Sequence, residues 1–411
     1  MDDQQKLDEN DHRRLGTELD LFVMSPLVGS GLPLFTARGT VLRDELAKYA
    51  NELREQRGFK KIWTPHITKT DLYKTSGHWD KFGAELFLVK SQETSDEMVL
   101  KPMNCPHHIQ IFASRPRSYR EMPIKYLETT TDYRDEKTGE LQGLSRVRSL
   151  TQDDSHAFCR EDQIEQVVND LIEAAKELYK TVEMKLKFRL SFRDDSEGYL
   201  GSKELWAKAE ATMEKLAKES GMEYFTGRGE AAFYGPKIDF MAEDVLERTW
   251  QVATVQLDFV MPERFELAYT NEEGQAERPV MVHCALLGSI ERFLAVYIEH
   301  TGGRFPLWLA PEQLRVATLN DEESILKMAK SVVQKVREAG IRTELDDSSE
   351  SVGKKVREAE VMKVPYTVVI GAKEVESNRL SPRHRSDLPE LPESSVDELL
   401  QTLFDHAKNR R

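Results

Sequence analysis

The chain has 411 residues, 39% of them apolar and 32% charged, with a formal net charge of −14 at pH 7. That length allows two or three domains with sizeable cores, and the composition is that of an ordinary globular protein. Three classes are excluded. No apolar run approaches the ~20 residues of a membrane span; the acidic balance does not suit an indiscriminate nucleic-acid coat; and Cys105, Cys159 and Cys284 are too few and scattered for a disulfide scaffold.

The first twelve residues are polar and charged, unlike a signal peptide. Residues 1–12 are expected to be a disordered lead-in, and the protein to be cytoplasmic. From Val41 to Gln56, Leu42, Leu46, Tyr49, Ala50 and Leu53 keep a helical period that Gly58 stops. A short strand, Lys60 to Trp63, runs into Pro65, as an edge or interface strand would. Strands from Ile124 to Arg134 and from Arg146 to Phe158 flank the polar loop Asp135–Glu140 and predict an antiparallel hairpin. A long amphipathic helix follows, with Ile164, Val167, Val168, Leu171, Ile172, Ala175, Leu178, Tyr179 and Val182 on one stripe. A strand (Leu186 to Ser191), a helix (Leu205 to Ala217) and two strands (Lys237 to Met241, Thr254 to Val260) come next. Near residue 310 the pattern changes. Short strands (Leu314 to Leu319, Thr367 to Ile370) then alternate with helices (Glu323 to Ala339, Ser395 to Asn409), which predicts a small α/β unit with its own sheet. There are no internal repeats and no low-complexity tracts.

Three groups of residues carry chemistry. Tyr133-Arg134-Asp135-Glu136 and Arg146-Val147-Arg148 put arginines on either side of a hairpin loop, a clamp for phosphate. A surface ladder of ion pairs fits the same residues. Gly288-Ser289-Ile290-Glu291-Arg292-Phe293 is a small turn opening a helix, where a phosphate can approach the backbone and Arg292 can lie flat on a purine. An ordinary helix start fits it as well. Cys105, in Lys101-Pro102-Met103-Asn104-Cys105-Pro106-His107-His108, His156 and His283 come from three separate segments and could form a three-ligand zinc site with one or more positions left open. Packed core residues are the alternative. No glycine-rich P-loop occurs anywhere.

In this order the first two groups resemble motifs 2 and 3 of class II aminoacyl-tRNA synthetases, and the Val41–Gln56 helix with the Pro65 strand resembles motif 1. KPMNCPHH, TQDDSHAFC, AFYGPKIDF, WQVATVQLDF and VHCALLGSIERF, with DHRRLG and TSGHWDKF before them, stand in the order and spacing of threonyl-tRNA synthetases over about residues 11 to 400. The resemblance implies an α+β fold. A class II antiparallel sheet flanked by helices would occupy residues 13–309, and an anticodon-binding domain 310–411.

It implies roles as well. Cys105, His156 and His283 would hold one zinc ion. Arg134 would bind the α-phosphate and the threonine carboxylate, and Arg292 would stack on adenine and hold the γ-phosphate. Glu136, Arg146, Leu150, Gln251 and Thr254 would complete an ATP site served by Mg²⁺. Asp154 would accept the threonine hydroxyl in a pocket lined by Gln152, Tyr234 and Gln256. Lys237 would sit near the reacting groups, and His78 near the terminal ribose of tRNA(Thr). Glu374 and Arg383 would read the anticodon, and motif 1 would form a homodimer. No editing of seryl-tRNA in cis is expected, so a free-standing editing protein is an expected partner or the chain is a trimmed form.

Three positions depart from the family's pattern. Arg148-Ser149-Leu150 stands where Arg-Gly-Phe is usual. Gln251-Val252-Ala253-Thr254 replaces Gln-Cys-Gly-Thr, and Ala253 would narrow the ATP site. Ser349 stands where asparagine is frequent. The competing readings are a prolyl-, histidyl- or seryl-tRNA synthetase and a synthetase-like protein that binds tRNA without charging it.

Overall fold

The computed structural model describes residues 9–244 and 247–410. These form two compact units, one of residues 24–33 and 47–296, the other of residues 9–23, 34–46 and 297–410. Of the lead-in expected over 1–12, residues 1–8 lie outside the described residues. The remainder is structured: Asp11 accepts the Arg13 N–H at 2.8 Å and caps helix α1 (His12–Glu18), and His12 is buried. Helix α2 (Ala37–Glu55) begins before the expected Val41, because Thr36 accepts the Gly39 N–H at 3.2 Å and starts the helix ahead of its first apolar residue. No helix among the described residues is long and apolar enough to cross a membrane.

The larger unit is built on one eight-stranded sheet. In chain order its strands are β1 (Lys60–Lys61), β2 (Ile124–Tyr133), β3 (Ser149–Cys159), β4 (Lys185–Phe192), β5 (Tyr224–Arg228), β6 (Lys237–Glu243), β7 (Thr249–Asp258) and β8 (Val280–Ser289). Their order in space is β5-β4-β6-β7-β8-β3-β2-β1, antiparallel except for the outer pairs β5/β4 and β1/β2. Helices α3 (Thr70–Ser76), α4 (His78–Phe82), α5 (Cys105–Ala113), α6 (Ile164–Thr181), α7 (Lys203–Glu219) and α8 (Ile290–Thr301) follow from the same chain. The stripe expected on α6 is buried along its length and packs on β8, β7 and β4. Each Leu, Ile or Val so covered contributes about 1.5–3 kcal/mol.

The hairpin β2/β3 runs in register from Ile124↔Phe158 to Tyr133↔Ser149. Its second strand starts at Ser149 and not Arg146, because residues 142–146 close a turn with Gly143 at φ +50° and the Arg148 N–H is taken by the Gly31 carbonyl. β7 begins at Thr249, earlier than expected. It ends where the Asp258 carboxylate accepts the N–H groups of Val260 and Met261 at 2.7 and 2.9 Å and turns the chain. β8 was not expected as a strand. Residues 280–287 are buried on both faces, so no alternation betrays them.

In the smaller unit, β9 (Leu314–Thr318), β10 (Thr343–Asp346), β11 (Tyr366–Ile370) and β12 (Arg383–His384) form a sheet in the order β10-β9-β11-β12. The first three strands are parallel, joined by α9 (Glu323–Glu338) and α10 (Val352–Val361). α11 (Ala372–Ser377) and α12 (Val396–Lys408) complete the unit. Leu314, Val316, Ile325, Val332, Val336, Val368, Ile370 and Leu403 are among its core residues.

Candidate functional site

Strand register assembles the site. Side chains two apart share a face of a sheet, so Glu128, Thr130 and Asp132 of β2 lie beside their β3 partners Asp154, Gln152 and Leu150. β8 pairs His283 with His156 and Ala285 with Asp154. β7 pairs Gln256 with His283 and Thr254 with Ala285, and β6 pairs Lys237 with Gln256 and Asp239 with Thr254. His156, His283, Gln256 and Lys237 therefore form one row across four strands, and Asp154, Ala285, Thr254 and Asp239 form the next.

Cys105 joins this face from the first position of α5. Cys105, His156 and His283 are all buried, and one ligand atom of each lies within 4.8 Å of the others. A tetrahedral zinc ion with bonds of ~2.0–2.3 Å needs neighbouring ligand atoms roughly 3.3–3.6 Å apart, a spacing this cluster admits. The outer contacts suit a metal too. His283 Nε2 lies 2.9 Å from the Asp258 carboxylate, which leaves Nδ1 with its lone pair. His156 Nδ1 lies 2.8 Å from His108 Nδ1; His108 Nε2 in turn faces Asn104 at 2.7 Å and Glu128 at 3.3 Å. Burial pushes the Cys105 thiol well up, reinforced by Asp154, Asp258 and Asp132, and burial holds His156 well below its ordinary value, reinforced by His108 and His283. A neutral imidazole is ready to ligate, and a divalent cation would remove the penalty on the thiolate. The donor set fits zinc.

His78 is enclosed. Its Nδ1 lies 2.7 Å from Ser76 Oγ, its Nε2 lies 3.6 Å from Cys105 Sγ, and Phe82 stacks on its ring. Burial, with His283 and Arg134 nearby, lowers it to about 3. The geometry sets it against the thiol with no face to solvent. Tyr234 stacks on the His283 ring at 4.9 Å and donates to Gln256 Oε1 at 2.5 Å. Gln152 keeps a buried Oε1 with no partner among the described residues, and Asp154 lies 3.7 Å from His156 Nε2.

The cationic side of the face carries the arginines. Arg134 donates to the Pro102 carbonyl at 3.3 Å and lies 5.0 Å over the Phe82 ring. Arg146 and Glu136 meet each other, through two bonds of 2.7 and 3.0 Å to one carboxylate oxygen. Arg292 is exposed, with burial of its base and the charge of Arg146 both holding it below the ordinary arginine value. Its position follows from an irregularity in β8. Pairing jumps from Ala285↔Asp154 to Ser289↔Gln152, and the freed N–H groups of Leu286 and Leu287 are both accepted by Asp153 at 2.9 Å. The buried Arg54 guanidinium faces Asp153 from behind at 3.3 Å. Gly288 makes the turn at φ +66°, where a Cβ would meet the Val252 carbonyl oxygen at 3.2 Å. α8 then starts, and Glu291 accepts the Thr151 N–H at 2.7 Å and the Ser289 hydroxyl at 3.0 Å.

A bulge in β7 corrects one expectation. Ala253 pairs with Phe240 and Gln251 with Met241, so Val252 is the extra residue. The bulge turns Gln251 onto the face of Thr254 and Asp239, where its amide donates to Asp239 at 2.9 Å. Ala253 points the other way, beside the core residue Phe240, and does not narrow the site.

In the smaller unit, Arg383 pairs with Thr367 at the start of β11 and lines a cavity of about 390 Å³ with Arg304, Lys363 and His384. Glu374 sits beyond the far end of β11, and its carboxylate accepts the Gly371 N–H at 2.9 Å as a helix cap. No contact joins the two among the described residues. Ser349 is exposed.

Several working residues escaped the sequence reading. Asp258 and His108 contact the two histidines of the cluster; Asp153 and Arg54 hold the β8 irregularity. Asp258 and His108 lie within WQVATVQLDF and KPMNCPHH, but only pairing shows what they touch.

A family model for the tRNA synthetase class II core domain (G, H, P, S and T) matches residues 87–301, and one for the anticodon binding domain matches residues 313–405. The threonine–tRNA ligases of Synechocystis and Deinococcus radiodurans are 46% and 45% identical to this chain over 408 and 404 residues. Each match covers 97% of this chain, and 67% and 62% of the respective relative. The crystal structure of the RNA binding domain of threonyl-tRNA synthetase from Cryptosporidium parvum superposes with a TM-score of 0.91 at 35% identity, covering 96% of this chain and 98% of that one. The chain thus spans about two thirds or less of the length of those curated relatives.

Proposed function

The chain belongs to the threonine–tRNA ligases of class II, and on that footing we propose that it joins L-threonine to tRNA(Thr) by way of threonyl-adenylate. The observation that carries this reading is the meeting of Cys105, His156 and His283 on the sheet face that also presents Asp154, Gln256 and Lys237. Residues 13–309 would supply the catalytic domain and residues 310–411 the anticodon-binding domain.

The first step joins two anions. A carboxylate oxygen of threonine attacks the α-phosphorus of ATP, the bond to the bridging oxygen breaks, and pyrophosphate leaves. Fixed positive charge must hold the partners in line and take up charge as it develops. Arg134, beside Met103 and Pro102 at the mouth of the amino-acid pocket, would hold the carboxylate and the α-phosphate. Arg292, exposed on the first turn of α8, would lie on the adenine and reach the γ-phosphate. Mg²⁺ would accompany ATP. Glu136 and Arg146, which pair with each other, would both meet ATP. Leu150 would offer adenine an apolar face, while Gln251 and Thr254 would meet the ribose.

Cys105, His156 and His283 would hold zinc, which would supply Lewis-acid binding for the amino and hydroxyl groups of threonine. Asp154, held beside His156, would accept the hydroxyl proton in a hydrogen bond. Gln152 brings an unpartnered carbonyl oxygen into the same pocket. The Tyr234–Gln256 hydrogen bond fixes the opposite wall. A pocket built for a hydroxyl rejects valine by ~10⁴–10⁵, whereas serine lacks only a methyl worth ~1–3 kcal/mol. Serine should therefore be activated to a measurable extent.

In the second step the 3′-hydroxyl of the terminal ribose attacks the acyl carbon and AMP leaves. His78 faces Cys105 Sγ in this conformation, and its support of the thiol is the role the contact favours. Glu374 and Arg383 remain the proposed anticodon contacts. A homodimer through α2 and the strand after it is also proposed. Trp63, 75% exposed, and Ile67, 45% exposed, give that segment an apolar surface to cover.

The test is amino-acid-dependent ATP–pyrophosphate exchange by zinc-loaded protein, followed by charging of tRNA. Strong exchange with threonine, weaker exchange with serine and none with valine is the expected pattern. Exchange driven by proline or histidine in place of threonine would overturn the assignment.

A further inference from the structure

Lys237 and Gln251 owe their aim to a buried carboxylate. Asp239 lies two residues beyond Lys237 on β6, on the same face, and is fully buried. Its Oδ2 accepts the Ser191 hydroxyl at 2.7 Å and Arg189 Nη2 at 2.9 Å, with the Lys237 ammonium 3.2 Å away. Its Oδ1 accepts the Gln251 amide at 2.9 Å. Arg189 Nη2 also donates to Gln251 Oε1 at 2.9 Å, so that amide is held at both ends.

The charges explain why two cations are present. A carboxylate buried with one lysine would make a closed pair and neutralise the lysine. Arg189 changes that outcome, since two cations and one carboxylate leave a surplus positive charge within the buried set. Asp239 can then hold the ammonium in place while the group as a whole still attracts a phosphate. Glu230 faces the outer edge of Arg189 at 3.3 Å, but its side chain is half exposed and screened by water.

We propose that Asp239 and Arg189 are positioning residues for the nucleotide half of the reaction, aiming Lys237 and Gln251 and keeping the lysine's charge available to ATP. This rests on the reading that Lys237 sits near the reacting groups and that Gln251 completes the ATP site. It predicts a specific division of effects, because Asp239 and Arg189 lie in the row of Thr254 and Gln251 in the row beyond it, while Lys237 alone stands in the row of His156, His283 and Gln256.

The experiment compares Asp239→Asn, Arg189→Met and Arg189→Lys with the parent. It measures melting temperature, kcat and both KM values in threonine-dependent exchange, and calorimetric affinity for a non-hydrolysable ATP analogue. Arg189→Met should weaken the analogue and raise the KM for ATP about tenfold. Asp239→Asn should lower kcat by roughly 10²-fold through misplacement of the ammonium. The KM for threonine should stay within about twofold in both, and Arg189→Lys should recover most of the loss. Unchanged analogue affinity in Arg189→Met, equal rises in both KM values, or no recovery with lysine would overturn the proposal. Parent protein that binds the analogue but shows no exchange with threonine would instead count against the proposed function, and the analogue affinities would still decide the role of Arg189.

Discussion

Replacing Asp132 with asparagine should shift the balance of stability toward the variant as pH rises from 5 to 8. Asp132 is fully buried on β2, and neither carboxylate oxygen has a hydrogen-bond partner among the described residues. Burial pushes its carboxyl from 3.8 to about 7, against the pull of Lys101 and Arg134. The sign follows from linkage. The folded state binds the proton more tightly than the unfolded state, so the contribution of Asp132 to stability is greatest below pH 3.8 and is lost progressively as pH rises to about 7. From pH 5 the loss runs at about 1.4 kcal/mol per pH unit, slackens to half that slope at pH 7 and levels off beyond, so it amounts to roughly 2–3 kcal/mol by pH 8. Asparagine does not titrate, so any cost of burying its amide is the same at every pH. Thermal unfolding of Asp132→Asn and parent at pH 5, 6, 7 and 8 should show a gap in melting temperature that moves in the variant's favour by roughly 6–12 °C across the series. A gap that stays level, or moves the other way, would refute the reasoning.

Asp258→Asn should weaken zinc by about 10–100-fold by loosening His283, read by competition with a chromophoric chelator; retention of parental affinity would show that Asp258 does not orient the ligand. Gly288→Ala should cost about 1–3 kcal/mol and raise the KM for ATP, since alanine is strained at φ +66° and its methyl meets the Val252 carbonyl. Melting temperature and exchange kinetics check both parts. Arg54→Met should cost about 3–5 kcal/mol in denaturant unfolding by leaving Asp153 buried without its cation, and Asp153→Asn in that background should recover part of the loss.

Much of the fold is legible where one face of an element is wet. The stripe on α6 and the alternation in β4 gave their elements away, with ends shifted by a residue or so. β8 was hidden for the opposite reason: it lies within the sheet with both faces covered over residues 280–287, so apart from His283 those residues are apolar without alternation. Arg134, Arg292 and the Cys105–His156–His283 set were recognisable as motifs, and the meeting of the last three needed the pairing of β3 with β8 and the start of α5 beside it. Asp239, Asp258 and Asp153 were not recognisable, because a buried acid has the same one-letter appearance as a solvated one. Ala253 was misplaced in the reading because local sequence carries no mark of the bulge that sets its direction.

That bulge also makes β7 asymmetric toward changes in length. With Val252 as the unpaired residue, losing it leaves Gln251 opposite Met241 and Thr254 opposite Asp239, so a one-residue deletion there preserves which side each faces. Adding one residue between Gln251 and Thr254 forces either a wider distortion or an inversion of everything upstream in the strand. Length variation at this point in related genes should therefore run toward shortening.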